Sequence, residues 1–151
     1  MPSTLREELK QTKPFNSLEQ EALLSVVRTS AQLMDRLELF LRPHGITATQ
    51  YNVLRILRGS EPEGLCRNEL RDRMLTRMPD VTRLLDRMEE AGLVERTRDT
   101  EDRRMVTSRI TKKAAQLLAT LDPLVAANEK AAKVDAASVE ASNFRVLKRC
   151  M

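Results

Sequence analysis

The sequence predicts a mainly helical domain carrying one small β-hairpin, and three observations predict it. Its 151 residues hold only 4 Gly and 6 Pro, too few turn-formers for a many-stranded sheet. Leu, Val, Ile, Met and Ala recur at three- and four-residue spacing over long stretches, the period of an amphipathic helix. Only two short runs, Leu93–Arg98 and Met105–Ile110, alternate in the manner of strands, and the polar tip Asp99–Arg104 joins them. With no Trp, 1 Tyr and 3 Phe, the core has to be filled by aliphatic side chains. That suits ridge-into-groove helix packing and excludes an aromatic platform for single-stranded nucleic acid.

After an N-terminal arm of residues 1–16, Ser17 starts a long helix: it caps, and Gln20 reaches back as in a capping box. Leu23, Val26, Val27, Ser30, Leu33, Met34, Leu37, Phe40 and Leu41 form its wide apolar stripe, which ends at Arg42-Pro43-His44-Gly45. Thr47 caps the next helix, whose Tyr51, Val53, Leu54, Ile56 and Leu57 are apolar almost all round, the mark of a buried helix. Gly59–Gly64 closes it. A shorter helix is expected over Cys66–Met74, a turn at Leu75-Thr76-Arg77, and a further helix from Met78 to Ala91. Pro79 then falls in a first turn, where its missing N–H is tolerated, and Gly92 falls just past the end. Beyond the hairpin, Thr111 caps a long helix with Leu117, Leu118, Leu121, Leu124 and Val125, with a kink expected at Pro123. After a break at Val134-Asp135 an Ala-rich segment ends with Val139, Phe144, Val146 and Leu147, and neither repeats nor low-complexity linkers interrupt the chain.

Composition narrows the function. Lys and Arg number 26 against 22 Asp and Glu, for a net charge of +4, and 19 of the cations are Arg, the planar fork suited to phosphate and guanine edges. The single His44 and the distant Cys66 and Cys150 make no metal set. No Gly-rich phosphate loop or nucleophile elbow is present either, so neither an enzyme nor a cofactor is expected. Met1–Phe15 is broken by Arg6, Glu7, Glu8, Lys10 and Lys13, and no long apolar run occurs. The expectation is a cytoplasmic protein with no membrane partner.

Two short helices joined by a tight turn and followed by a hairpin with a charged tip have the order of a winged helix-turn-helix DNA reader. The text of this segment resembles the MarR family of bacterial transcription regulators. The resemblance is carried by Glu69-Leu70 in the first helix of the pair, Thr82-Arg83-Leu84-Leu85-Asp86-Arg87 in the second, Gly92-Leu93-Val94-Glu95-Arg96 entering the hairpin, and Asp102-x-Arg104 leading to Ile110-Thr111. It covers roughly residues 17 to 133. It departs at Arg71, where members commonly have Ala, at Ala114 in place of Gly, and at Ile110 in place of Leu.

The resemblance implies a homodimer on double-stranded DNA, with a dimerisation helix at 17–46, a winged helix-turn-helix domain at 47–112 and C-terminal dimerisation helices at 113–151. Two reading heads then meet successive major grooves of a pseudo-palindrome about 34–36 Å apart, and the expected role is a repressor. The rival class is a winged-helix module that docks an acidic protein. The charge map favours DNA, because Arg77, Arg83 and Arg87 accompany the second helix and Arg103-Arg104 the hairpin tip, while Asp86 and Glu89-Glu90 lie further along.

On the second helix Asp80, Thr82, Arg83 and Arg87 fall off the apolar positions Val81, Leu84, Leu85 and Met88, and so form its outer side. Arg77, Thr82 and Arg83 are candidates for base edges or adjacent phosphates, with Arg83 able to pair bidentately with guanine. Asp80 suits the helix dipole but repels phosphate, so it accepts from cytosine N4 or orients a neighbouring Arg. The alternative for each charge is a solvated helix face. At the tip, the resemblance places Arg104 in the minor groove with Asp102 holding its guanidinium, and Arg103 on phosphate. The alternative there is an exposed ion pair that merely stabilises a turn. Arg67, Arg96 and Arg98 are further candidates for backbone contacts, the alternative being surface solubility.

The resemblance also implies a cleft for a small aromatic, phenolic anion, drawing here on Leu33, Arg36, Leu37, Tyr51 and Arg55; the alternative is simple core and interface packing. Some relatives sense oxidants through cysteine, which brings Cys66 into consideration at the start of a helix, against the plainer role of a small packing residue. Cys150, beside Lys148-Arg149, is expected to be an exposed thiol, and His44 a helix-end cap.

Overall fold

The computed structural model describes residues 5–98 and 105–131. In chain order these form α1 (Leu5–Glu8), α2 (Leu18–Leu41), a 3-10 turn at Arg42–His44, α3 (Ala48–Arg58), β1 (Leu65–Cys66), α4 (Arg67–Arg73), α5 (Val81–Glu90), β2 (Val94–Arg98), β3 (Val106–Ile110) and α6 (Lys112–Ala131). The expected mainly helical fold with a β-wing is what the chain adopts. Two compact units divide it at Leu37/Glu38 and Ala127/Asn128. Among the described residues no helix is long and apolar enough to cross a membrane.

The unit outside Glu38–Ala127 contains α1 and most of α2. Ser17 Oγ accepts from the Gln20 N–H at 3.2 Å, and Gln20 Oε1 accepts from the Asn16 N–H at 2.8 Å, one residue further back than a standard capping box. Leu23, Val26, Val27 and Met34 of the α2 stripe are exposed, as is Leu18 at the start of the helix, while Leu24, Leu33 and Leu37 are half-buried.

In the second unit α3 supplies the centre: Tyr51, Val53, Leu54 and Leu57 are buried, as its all-round apolar pattern requires. Its start is held twice. Thr47 Oγ1 accepts from the Gln50 N–H at 3.1 Å while Gln50 Oε1 accepts from the Thr47 N–H at 2.9 Å, and the Glu38 carboxylate takes the Ala48 N–H at 2.6 Å. Three backbone donors that no helical carbonyl can reach are thereby satisfied. Leu41, Leu70, Met88, Val94, Leu118 and Leu121, each no more than 2% exposed, complete the core. Thr111 Oγ1 accepts from the Ala114 N–H at 3.2 Å to start α6, and its hydroxyl donates to the Gly92 carbonyl at 2.8 Å. Pro123 lies within α6, and the segment expected after Val134-Asp135 is outside the described residues.

Three expectations need correction. The sheet has three antiparallel strands in the order β1-β3-β2, because Leu65 and Cys66 pair with Ser108 and Thr107 before the helix begins at Arg67. A two-residue strand is too short to show alternation. The hairpin strands proper start one residue later than expected, at Val94 and Val106, and pair in the register Val94↔Ile110 to Arg98↔Val106. α5 begins at Val81, not Met78. Pro79 disfavours a helical Met78, and Asp80 caps instead, its Oδ1 accepting from the Arg83 N–H at 2.9 Å.

Gly64 makes β1 possible. Its φ is 74°, and a Cβ there would stand 2.6 Å from the Ser108 carbonyl oxygen. Gly64→Ala is therefore expected to destabilise the protein by about 1–3 kcal/mol, read as a lower urea midpoint with an unchanged slope.

Candidate nucleic-acid interface

α5 presents two chemically distinct sides. Val81, Leu85 and Met88 are buried, Leu84 is half-buried, and Thr82, Arg83 and Arg87 are exposed. Asp80 acts on Arg83 at both ends: it accepts from the Arg83 backbone N–H at 2.9 Å, and its Oδ2 lies 3.4 Å from the Arg83 Nε. The guanidinium is steered by the residue that starts the helix, and 73% of the side chain remains exposed. Arg67 Nη1 donates to Thr82 Oγ1 at 3.4 Å, tying α4 to the same side. Arg77, in the turn before α5, is exposed, as is Arg98 at the end of β2. Asp102, Arg103 and Arg104 lie outside the described residues.

Arg96 is placed differently from the other candidate contacts. Its guanidinium lies 2.7 Å from Asp86 Oδ1 and its Nε donates to Glu89 Oε2 at 2.9 Å. Only 23% of the side chain is exposed, so Arg96 clasps β2 to α5 rather than reaching outward. The Arg96 hydrogen bond holds the Glu89 carboxyl below the usual carboxylate range. Sequence reasoning missed this clasp, although Asp86 and Glu89 are three apart and so share a helix edge.

The candidates for a ligand cleft fall in separate units. Leu33 and Leu37 are half-buried on α2, and Arg36 Nε donates to Asn128 Oδ1 at 3.1 Å. Tyr51 is buried in α3, where its hydroxyl donates to Asp122 Oδ1 at 3.2 Å and the Arg55 guanidinium lies 5.8 Å from its ring centre. Arg58 Nη1 donates to the other Asp122 oxygen at 2.6 Å. Tyr51 is thus engaged in packing α3 against α6, and burial lifts its phenol above the ordinary value.

Burial also pushes the Asp122 carboxyl up, but the Arg58 hydrogen bond and charge, helped by the Tyr51 hydroxyl, outweigh it and hold it below the usual range. A carboxyl depressed in the folded state contributes stability that is complete above its unfolded value and is lost as pH falls through the folded one. The stability advantage of wild type over Asp122→Asn is accordingly expected to be constant above about pH 5 and to shrink below about pH 4, as urea titrations across this range would measure.

A cavity of about 350 Å³ opens between α4, α5 and the wing strands, lined among others by Cys66, Arg67, Thr82, Leu85, Arg96 and Met105. Cys66 is a half-buried free thiol, and Cys150 is outside the described residues. His44 closes the 3-10 turn, where the Gly45 N–H donates to the Arg42 carbonyl at 3.0 Å, and its ring meets Phe40 at 5.8 Å. Arg71 points outward beside Asp72, whereas Ala114 is fully buried. Among the described residues no His, Cys, Asp and Glu cluster could hold a metal ion.

A capped outer helix after a shorter one, backed by a three-stranded wing, defines a winged helix-turn-helix protein. Comparison with known proteins places it further. The MarR family model matches residues 44–105. The MarR transcription factor from Planctomyces limnophilus is 35% identical, with a TM-score of 0.69 over 91% of this chain and 100% of that one. The chain belongs to the MarR family, whose members are transcription regulators and not enzymes. It is also similar to a mutant of E. coli MarR solved with operator DNA, at 26% identity and a TM-score of 0.67 over 99% of both chains. The E. coli regulator PrsX is 29% identical over 96 residues, 63% of this chain, and the match spans only 58% of its length. TtmR of Methylorubrum extorquens is 38% identical over 84 residues, 56% of this chain and 42% of TtmR.

Proposed function

We propose that the protein is a cytoplasmic, sequence-specific regulator that binds a pseudo-palindromic double-stranded operator as a homodimer and represses by occupying it. The observation that carries this reading is the outer side of α5, where Asp80 both caps the helix and steers an exposed Arg83. A guanidinium fixed in this way loses little freedom when it pairs with a guanine edge. Arg77, Thr82, Arg87 and Arg98 join it, with Asp102, Arg103 and Arg104 assigned to the wing tip, on a DNA-binding domain of residues 47–112. The E. coli MarR structure with operator DNA supports double-stranded DNA as the partner.

The exposed apolar residues Leu18, Leu23, Val26, Val27 and Met34 support dimerisation through residues 17–46, together with residues 113–151. An effector is assigned to the cavity beside Thr82. Arg67 offers a cation, Thr82 a hydroxyl, and Leu85 and Met105 apolar walls, a set that fits a small phenolic carboxylate and would set it against DNA. A panel of such acids that moves neither melting temperature nor operator affinity removes that assignment.

Fluorescence anisotropy with the DNA upstream of the gene and a scrambled duplex, at two salt concentrations, tests the whole reading. Two protomers binding the native duplex alone, with a steep salt dependence, is the expected result. Equal weak binding to both duplexes, and to duplexes selected from random DNA, would instead favour docking to an acidic protein.

A further inference from the structure

The turn between α4 and α5 carries a leucine that helix packing does not explain. Leu75 is 83% exposed, yet its backbone is fixed, because its N–H donates to Asn52 Oδ1 on α3 at 3.1 Å. It is an apolar knob on a pinned main chain, five residues before the α5 cap at Asp80. Arg71 and Arg77 line the open hollow of this turn together with Asp72, Met74, Met78 and Pro79, Asp72 standing 3.6 Å from the Arg71 Nε, and Arg73 and Arg83 are exposed nearby in sequence. Between positions 71 and 83 four arginines stand against Asp72 and Asp80, and this net positive turn suits a polyanion better than an apolar protein surface.

In a helix-turn-helix the N-terminal end of the second helix approaches the base edges, and the turn that carries Leu75 leads directly into that end. The major groove offers one apolar group to such a knob, the C5-methyl of thymine. We propose that Leu75 packs on a thymine methyl in each half-site, which makes the turn a specificity element alongside the outer side of α5. This rests on the DNA-reading function proposed above.

The test uses the full chain and an operator duplex obtained by selection from random DNA. Each thymine is replaced in turn by deoxyuridine, which removes only the methyl group. Wild type is expected to lose about threefold to fivefold in affinity at one thymine per half-site. Leu75→Ala should lose a similar factor on the unmodified duplex and become insensitive to that replacement, while Leu75→Met keeps the sensitivity. Wild-type affinity in Leu75→Ala, equal weakening on scrambled DNA, or independent losses from the variant and the deoxyuridine would each overturn the proposal. Failure of the DNA-reading function shows itself differently: wild type then binds scrambled and selected duplexes alike, and both readings fall together.

Discussion

Met88→Ala is expected to destabilise the protein by about 2–5 kcal/mol. Met88 is 0% exposed and shares the inner side of α5 with Val81 and Leu85, so truncation leaves a void that aliphatic neighbours fill only in part. The same residue anchors the exit from the helix, since its carbonyl accepts the Leu93 N–H at 2.9 Å just before β2. The backbone bond survives the substitution, and the loss is one of packing. Urea unfolding should show a lower midpoint with an unchanged slope. A loss under about 1 kcal/mol would mean that α5 settles inward to close the void, which a less rigid seat for the outer arginines would accompany. Operator affinity measured well below the melting temperature separates these cases: a seat that has moved weakens binding, while a simple cavity leaves it near wild type.

The helical elements were legible where side chains alone decide them. Thr47 and Gln50, Ser17 and Gln20, and Thr111 declare helix starts in the sequence, and the structure shows each with its hydrogen bonds made. The buried character of α3 followed from Val53, Leu54 and Leu57 in the same way. What escaped was set by partners far along the chain. β1 exists because Ser108 and Thr107 come to lie beside Leu65 and Cys66, and no local pattern announces that meeting. The start of α5 was misplaced because two local signals compete, a proline suited to a first turn and an aspartate suited to a cap, and the aspartate holds the position.

The candidate site was legible to the extent that a helix surface can be projected from its period. Thr82, Arg83 and Arg87 are exposed as the spacing implies. Arg96 was not foreseeable as a clasp, because its partners Asp86 and Glu89 stand on another element. For Tyr51, the sequence shows an aromatic residue in an apolar helix but not that Asp122 and Arg58 complete its surroundings.

Arg83→Ala is expected to weaken operator binding by about 1–3 kcal/mol, roughly fivefold to 150-fold, and to relax base preference at one position per half-site. Stability should stay within about 0.5 kcal/mol, since 73% of the side chain is exposed and the Asp80 cap needs only the Arg83 backbone N–H. Arg83→Lys separates charge from geometry. It keeps a cation, so the salt dependence stays near wild type, but it lacks the planar fork and should lose the base preference. Asp80→Ala acts one step earlier, removing the cap at about 1 kcal/mol of stability and releasing the guanidinium of Arg83, so the preference should blur while the cation remains. If Arg83→Ala instead lowers affinity equally for every duplex and reduces the salt slope by about one, Arg83 holds a phosphate. Base reading would then pass to Thr82 and to the turn that carries Leu75.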